Sequence, residues 1–167
     1  LAGHPARAQR ASRLPRVGYV SPTAPLAELA GPDPIDGIAR AFIHGLRDLG
    51  WVDGRSVIIE HRSALGQPER LPALLRELVD LPVDVIVTGG AAMARAARQA
   101  TETIPIVAIG FDLVALGLAN SLARPGGNVT GLPFDAGYGM GGKRLELLKR
   151  VVPAAKRISY LTRPRAN

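Results

Sequence analysis

No cysteine occurs anywhere in this chain of 167 residues. Disulfides, thiolate metal sites and cysteine nucleophiles are therefore excluded, and no cysteine of this sequence carries a lipid. Aromatic residues are scarce, at 4%. No apolar run approaches the roughly 18 residues of a membrane span. Three histidines, His4, His44 and His61, lie far apart, and the spacings of a metal site or a catalytic triad are missing. The nucleophile pattern G-x-S-x-G is also absent. What remains is 47% hydrophobic, a globular composition and not a disordered one. The length suffices for one domain with a real core.

The net charge is +7, from 21 Lys and Arg against 14 acids. Arg7, Arg10, Arg13 and Arg16 precede the first acid, and the remainder carries about +3 with no dense basic run. Such an arm suits nucleic acid or a membrane surface, but no aromatic interleaves the arginines as single-strand binders require. The plainer reading is a basic leader over residues 1–15, with no nucleic-acid partner expected. Ala6-Arg7-Ala8 in "GHPARAQ" also fits the small-residue end of a secretory signal, without its apolar segment.

Along the chain, "RVGYV" reads as a strand ending at Ser21-Pro22. "IDGIARAFIHGLRDLG" then sets Ile35, Ile38, Phe42, Leu46 and Leu49 at helical spacing, closed by Gly50. His44 falls beside that stripe as a packing residue. "SVIIEHR" reads as a strand over 56–62, and "PERLPALLRELVDL" puts Leu71, Leu74, Leu75 and Leu78 on one helix face behind Pro68. "VDVIVTGG" is a buried strand, "AAMARAARQAT" a small-residue helix and "IPIVAIG" another buried strand. "LVALGLANSLA" reads as a helix stopped by Pro125-Gly126-Gly127, and "NVTGL" as a fifth strand. Its Asn128-Val129-Thr130 fits a glycosylation acceptor, though a turn feeding a strand explains it better.

Continuous Val/Ile strands alternating with helices predict a doubly wound α/β domain, with a parallel five-stranded sheet in the order 2-1-3-4-5 and right-handed crossovers. Ligands of such sheets sit beyond the carboxyl ends of the strands, where strand order reverses. Those ends read Ser21-Pro22, Arg62-Ser63, Thr88-Gly89-Gly90 and Gly110-Phe111-Asp112. Glycines let a ligand approach the backbone, and the following helix N-termini offer N–H groups to an anion such as a carboxylate. Ser21, Thr88, Gly89, Gly90, Ala91, Phe111 and Asp112 are the candidate ligand residues.

One stretch argues for a nucleotide. In "FDAGYGMGGKRLELL", Gly137, Gly139 and Gly142 fit G-x-G-x-x-G, and Gly137, Gly142 and Lys143 fit most of a phosphate loop. The phosphate loop then needs Ser or Thr, and Arg144 stands there. The dinucleotide pattern needs an acid about 20 residues on, where "RISYLTRP" offers none. A Rossmann-like nucleotide-binding oxidoreductase fragment remains an alternative, as does a ligand-sensing or interaction module with the leader as its arm. No cofactor, catalytic residue or metal ligand is assigned.

The order of elements also resembles a known family. The segments "FIHGLRDLGWVDGRSVIIEHR", "GQPERLPALLRELVDLPVDVIVTGG", "TIPIVAIGFD", "GLANSLARPGGNVTGL" and "GKRLELLKRVVP" resemble the substrate-binding proteins of ABC transporters, of the tryptophan or aromatic amino acid type. The likeness covers Arg16 to Pro164, and "SLARPGGNVTGL" with "GKRLELLK" is its most specific part. It implies two α/β lobes joined by a hinge, a small solute clamped between them, a position outside the cytoplasmic membrane and delivery to a permease. Residues 16–132 are then the first lobe. Residues 133–142 become a hinge crossing through Gly137, Gly139, Gly141 and Gly142. Residues 143–167 begin a second lobe that is incomplete, with a strand at 158–161. A helix left without its sheet is expected to be the least firmly packed part, or to pair with another copy as a homodimer. Relatives place Thr or Ser where this chain has Ala91, whereas Asp112 matches the family pattern.

Overall fold

In the computed structural model, which describes residues 13–121, 123–133, 139–154 and 156–157, the chain divides into two compact units, residues 1–134 and 135–167. The first unit holds β1 (Arg16–Ser21), α1 (Leu26–Leu29), α2 (Gly37–Asp48), β2 (Ile58–Ser63), a 3-10 turn (Pro68–Arg70), α3 (Leu71–Asp80), β3 (Val85–Gly89), α4 (Ala91–Ala100), β4 (Ile106–Ile109) and β5 (Val129–Leu132). The second holds α5 (Gly139–Val151). The leader and the strand expected at 158–161 fall on residues outside this description, apart from Arg13 to Pro15.

All strands are parallel, in the order β2-β1-β3-β4-β5, as the alternation predicts. Each face has its own core. Val17, Tyr19, Ile59 and Val87 meet Leu29, Ala39 and Ile43 of α1 and α2. Val20, Ile86, Ile106, Ala108 and Val129 meet the α3 leucines and Met93, Ala94 and Ala97 of α4. Leu71, Leu74, Leu75 and Leu78 are all buried, as their spacing requires. Alanines on α4 let that helix lie close to the sheet.

Three expectations are corrected. First, α2 begins at Gly37, because the Asp36 carboxylate accepts from the N–H groups of Ile38 and Ala39 at 3.1 and 2.8 Å and fixes the cap there. The helix then turns Ala39 and Ile43 inward, with Phe42 and Leu46 half-buried. Ile35, Ile38 and Leu49 stay 72%, 57% and 77% exposed. The small Ala39 permits the closest approach to the sheet, and a pattern of large residues alone does not weigh it. His44 is half-exposed, and its Nε2 lies 3.1 Å from Asp33 Oδ1. Second, β2 starts at Ile58, since the Ser56 hydroxyl accepts from Val52 N–H and donates to Gly50 O, closing a turn.

Third, the described residues between β4 and β5 form turns and no helix. A single turn starts at Asp112, with Leu116 N–H donating to Asp112 O at 3.1 Å. Gly117 then adopts φ +69 and the path bends back, so that Leu118 and Ala119 both donate to Leu113 O. Leu113 and Ala119 are still buried and cover the sheet without a helix. Asn128 donates through Nδ2 to Thr101 O and Ile104 O, which seats the entry to β5. That side chain is thereby occupied by the fold. Gly131 of β5 sits against β4 so closely that a Cβ would run into the Ala108 carbonyl oxygen.

Two changes test this packing in urea unfolding. Leu75→Ala empties a fully buried site and is expected to cost about 2–5 kcal/mol. Gly131→Ala is expected to destabilise the sheet. Gly45→Ala, on an open face of α2, should instead stabilise by about 0.5–1 kcal/mol.

Candidate functional site

Parallel pairing brings the carboxyl ends of the strands to one edge. Strand order reverses at β1, whose neighbours are β2 and β3. Register sets Ser21 opposite Ser63, Val20 opposite Thr88 and Gly89 opposite Ile109. Gly90 N–H donates to Ile109 O at 3.3 Å and ties the β3 loop to the β4 loop. Ser21, Thr88, Gly89, Gly90 and Ala91 thus gather on β1 and β3, with Phe111 and Asp112 at the end of β4.

These residues arrive in different states. The Ser21 hydroxyl is buried and accepts from Ala24 N–H at 3.1 Å, which leaves its own proton to donate. Thr88 is fully buried and its hydroxyl has no hydrogen-bond partner. An unpaired buried hydroxyl is costly in a settled core. Gly90 turns the chain with φ +117 and stands at the N-cap of α4 without a side-chain cap. The first N–H groups of a helix lack intrahelical partners, so this end of α4 presents donors and partial positive charge. Ala91 contributes only a methyl. Asp112 caps its own turn, its Oδ1 accepting from Val114 and Ala115 N–H groups at 3.0 and 3.1 Å. Phe111 is 39% exposed.

Two features here go beyond the candidate residues, although the sequence places Ser63 at a strand end and lets His61 face the ligand edge without a partner. Ser63 is buried beside Ser21, its hydroxyl accepting from Leu65 N–H at 3.1 Å. An aromatic cluster also stands behind the edge: Tyr19 stacks on Phe42 at 5.2 Å and meets His61 edge-on at 5.8 Å. The alternation Tyr19/Ser21 and His61/Ser63 carried the signal, since residues two apart share a face. Burial, with a contribution from Asp36, pushes the Tyr19 phenol up to about 12. Both His61 ring nitrogens are buried without partners. Burial holds this imidazole below its ordinary value of 6.5, Asp53 and Glu60 pull it upward, and Arg62 opposes protonation.

The other readings lose ground. Gly139, Gly141 and Gly142 lie within α5 and not in an irregular crossing, and Gly137 lies outside the described residues. A helix through Gly139 and Gly142 is no phosphate-cradling loop, and Lys143 Nζ pairs with Glu146 at 3.0 Å. Within α5 Glu146 holds both Lys143 and Arg150 across successive turns. Arg13 is engaged by Asp84 and Arg16 by Glu60, each at 2.8 Å. Among the described residues no group of three or more His, Asp or Glu side chains could hold a metal ion. Two surface grooves, of about 250 Å³ between α3 and α4 and about 300 Å³ beside Trp51, lie away from the strand ends.

Comparison with known proteins adds the following. Residues 28–167 match the family described as ABC transporter substrate binding protein. A tyrosine-binding protein of Clostridioides difficile is 32% identical over 137 residues, which is 81% of this chain and 39% of that protein. A conserved domain protein of Vibrio cholerae superposes with TM-score 0.69 at 28% identity, over 85% of this chain and 45% of its own. The ligand-free, open structure of a substrate binding protein with adhesive properties from Clostridium difficile gives TM-score 0.70 at 28% identity, over 86% and 45%. The chain thus spans about two fifths of the curated relative's length.

The His61 environment predicts an acid-sensitive fold. With its folded pKa lowered, the unfolded chain binds more protons, so stability is full above the ordinary value of 6.5 and falls as pH drops through it toward the folded value. Urea midpoints measured from about pH 8 to about pH 5 should fall for the native chain. The fall should be shallower for His61→Phe.

Proposed function

The chain belongs to the ABC transporter substrate-binding protein family, and on that premise we propose that its first unit is one wall of a site for a small-molecule solute, an amino acid. The reading takes the protein as a non-enzymatic binding component that works outside the cytoplasmic membrane and hands its solute to an ABC permease. The observation that carries it is the end of β3. There the unpaired Thr88 hydroxyl and the uncapped N-terminus of α4 flank Gly89 and Gly90. A carboxylate suits those donors, because the helix end favours negative charge and glycine lets the ligand reach the backbone. Ser21 supplies a further donor from β1. Half-exposed Phe111 offers an apolar surface for an aromatic side chain, in keeping with the relative named for tyrosine. On this reading the hinge precedes the glycines that lie within α5.

Titration calorimetry with tyrosine, tryptophan and alanine, against NAD and ATP, tests this reading. Weak binding of an aromatic amino acid supports it. Nucleotide binding without amino acid binding overturns it. Two variants refine the test. Ala91→Ser supplies a hydroxyl where the family resemblance implies one and should tighten binding about 2- to 12-fold, the worth of one hydrogen bond. Thr88→Val should leave unfolding unchanged or more resistant, since it removes an unpaired buried hydroxyl, yet weaken the amino acid by a similar factor.

A further inference from the structure

The loop that follows β2 holds a leucine in a conformation that leucine disfavours. Leu65 takes φ +51, and among the described residues it is the one non-glycine with a positive φ. Gly66 after it takes φ +77, and Gln67 N–H donates to Ala64 O at 2.9 Å. This is a tight turn with both central residues in the left-handed region, for which Asn-Gly or Gly-Gly is the favoured pair. A leucine there crowds its Cβ against the backbone. Hydrogen bonds keep it in place. The Ser63 hydroxyl accepts from Leu65 N–H at 3.1 Å, Ala64 N–H donates to Ser21 O at 3.0 Å, and Gly66 N–H donates to Pro22 O at 2.8 Å. The last two draw the loop from the outer strand β2 inward over the end of β1, beside the candidate residue Ser21.

Packing within the unit does not offset this strain. Leu65 is 46% exposed and belongs to neither apolar core. A side chain that is strained and half in solvent does little for the fold, and backbone outliers of this kind cluster where ligands are held. We propose that Leu65 is a specificity-determining residue, an apolar contact for the side chain of the bound amino acid. The inference rests on the solute site proposed above and adds to it a wall from β2. With the solute carboxylate at the end of β3, the loop after β2 lies two strand spacings away, about 10 Å. The ring of an aromatic amino acid reaches across that interval, and the methyl of alanine does not. Phe111 flanks β3 from the other side, at the end of β4, so the two apolar residues bracket the carboxylate position. The solute class this favours is an amino acid with a large apolar side chain.

Titration calorimetry with tyrosine and tryptophan, together with urea unfolding, tests the proposal on variants of the full 167-residue chain. Leu65→Gly and Leu65→Asn both suit a left-handed position. Each should raise the urea midpoint and yet weaken the aromatic amino acid about tenfold, the worth of half a leucine contact. Leu65→Met keeps both the strain and the apolar surface, and should leave midpoint and affinity unchanged. A Leu65→Gly chain that binds the aromatic amino acid as tightly as the native chain would overturn the proposal and leave the solute site standing. So would a loss of affinity in Leu65→Met equal to that in Leu65→Gly, or a midpoint that falls in both left-handed variants. A native chain that binds neither tyrosine nor tryptophan would overturn the solute site itself, and this proposal with it.

Discussion

Everything in this structure follows from β1 being paired on both sides with parallel neighbours. Parallel neighbours cannot be joined by a tight turn, so each connection must cross over a face of the sheet. Crossing to β2 puts α1 and α2 on one face. Crossing from β2 past β1 to β3 puts α3 on the other. Because both faces are then covered, the strands need apolar residues in continuous runs, which is how Val85 to Val87 and Ile106 to Ile109 read. The same pairing leaves a single edge where polar loops can gather. The candidate site is therefore a consequence of strand direction before it is a consequence of any particular side chain.

How much of this the sequence discloses depends on what each element relies on. Leu71, Leu74, Leu75 and Leu78 announce α3 because one face alone carries its burial. In α2 the apolar residues form a broad arc, of which only one side meets the sheet. The decision falls to Ala39, which is small enough to face the sheet, and to the Asp36 cap, so Ile38 and Leu49 end outside. The segment after β4 has helical composition, yet Gly117 takes a positive φ and Leu113 collects two N–H donors, which gives a knot of turns. At the site, the glycines and Thr88 are visible in "VTGG". The lack of a partner for the Thr88 hydroxyl, and the nearness of Ser63 to Ser21, belong to strand register and cannot be read from a linear pattern.

Net charge is another quantity that the whole chain conceals. A value of +7 reads as one basic protein. Divided at the boundary between the two units, it becomes a nearly neutral α/β unit and a strongly basic segment. In the first unit, cations are spent on partners: Arg16 on Glu60, Arg62 on Glu77 and Arg98 on Glu102. Surface pairs of this kind add about 0–1 kcal/mol each, so they explain little stability. They do remove the field that a distant anion would feel. The second unit keeps its net charge, because Asp135 and Glu146 cannot neutralise eight cations.

The proposed solute site relies on contacts of shorter range, from groups that the strand ends hold in place. Gly90 holds the α4 N-terminus open, and Thr88 is fixed in a fully buried strand position. A ligand meeting such groups need not reorganise them, which lowers the entropic cost of binding. The cost has been met in folding instead, as a buried hydroxyl without a partner at Thr88 and an imidazole without one at His61. The two differ in consequence. Thr88 lies at the strand end, where an incoming carboxylate could satisfy it. His61 lies two residues back from the end of its strand, packed edge-on against Tyr19, and its ring nitrogens, like the Thr88 hydroxyl, are buried without partners. Protonation is then what changes His61, so acid acts on the support of the edge.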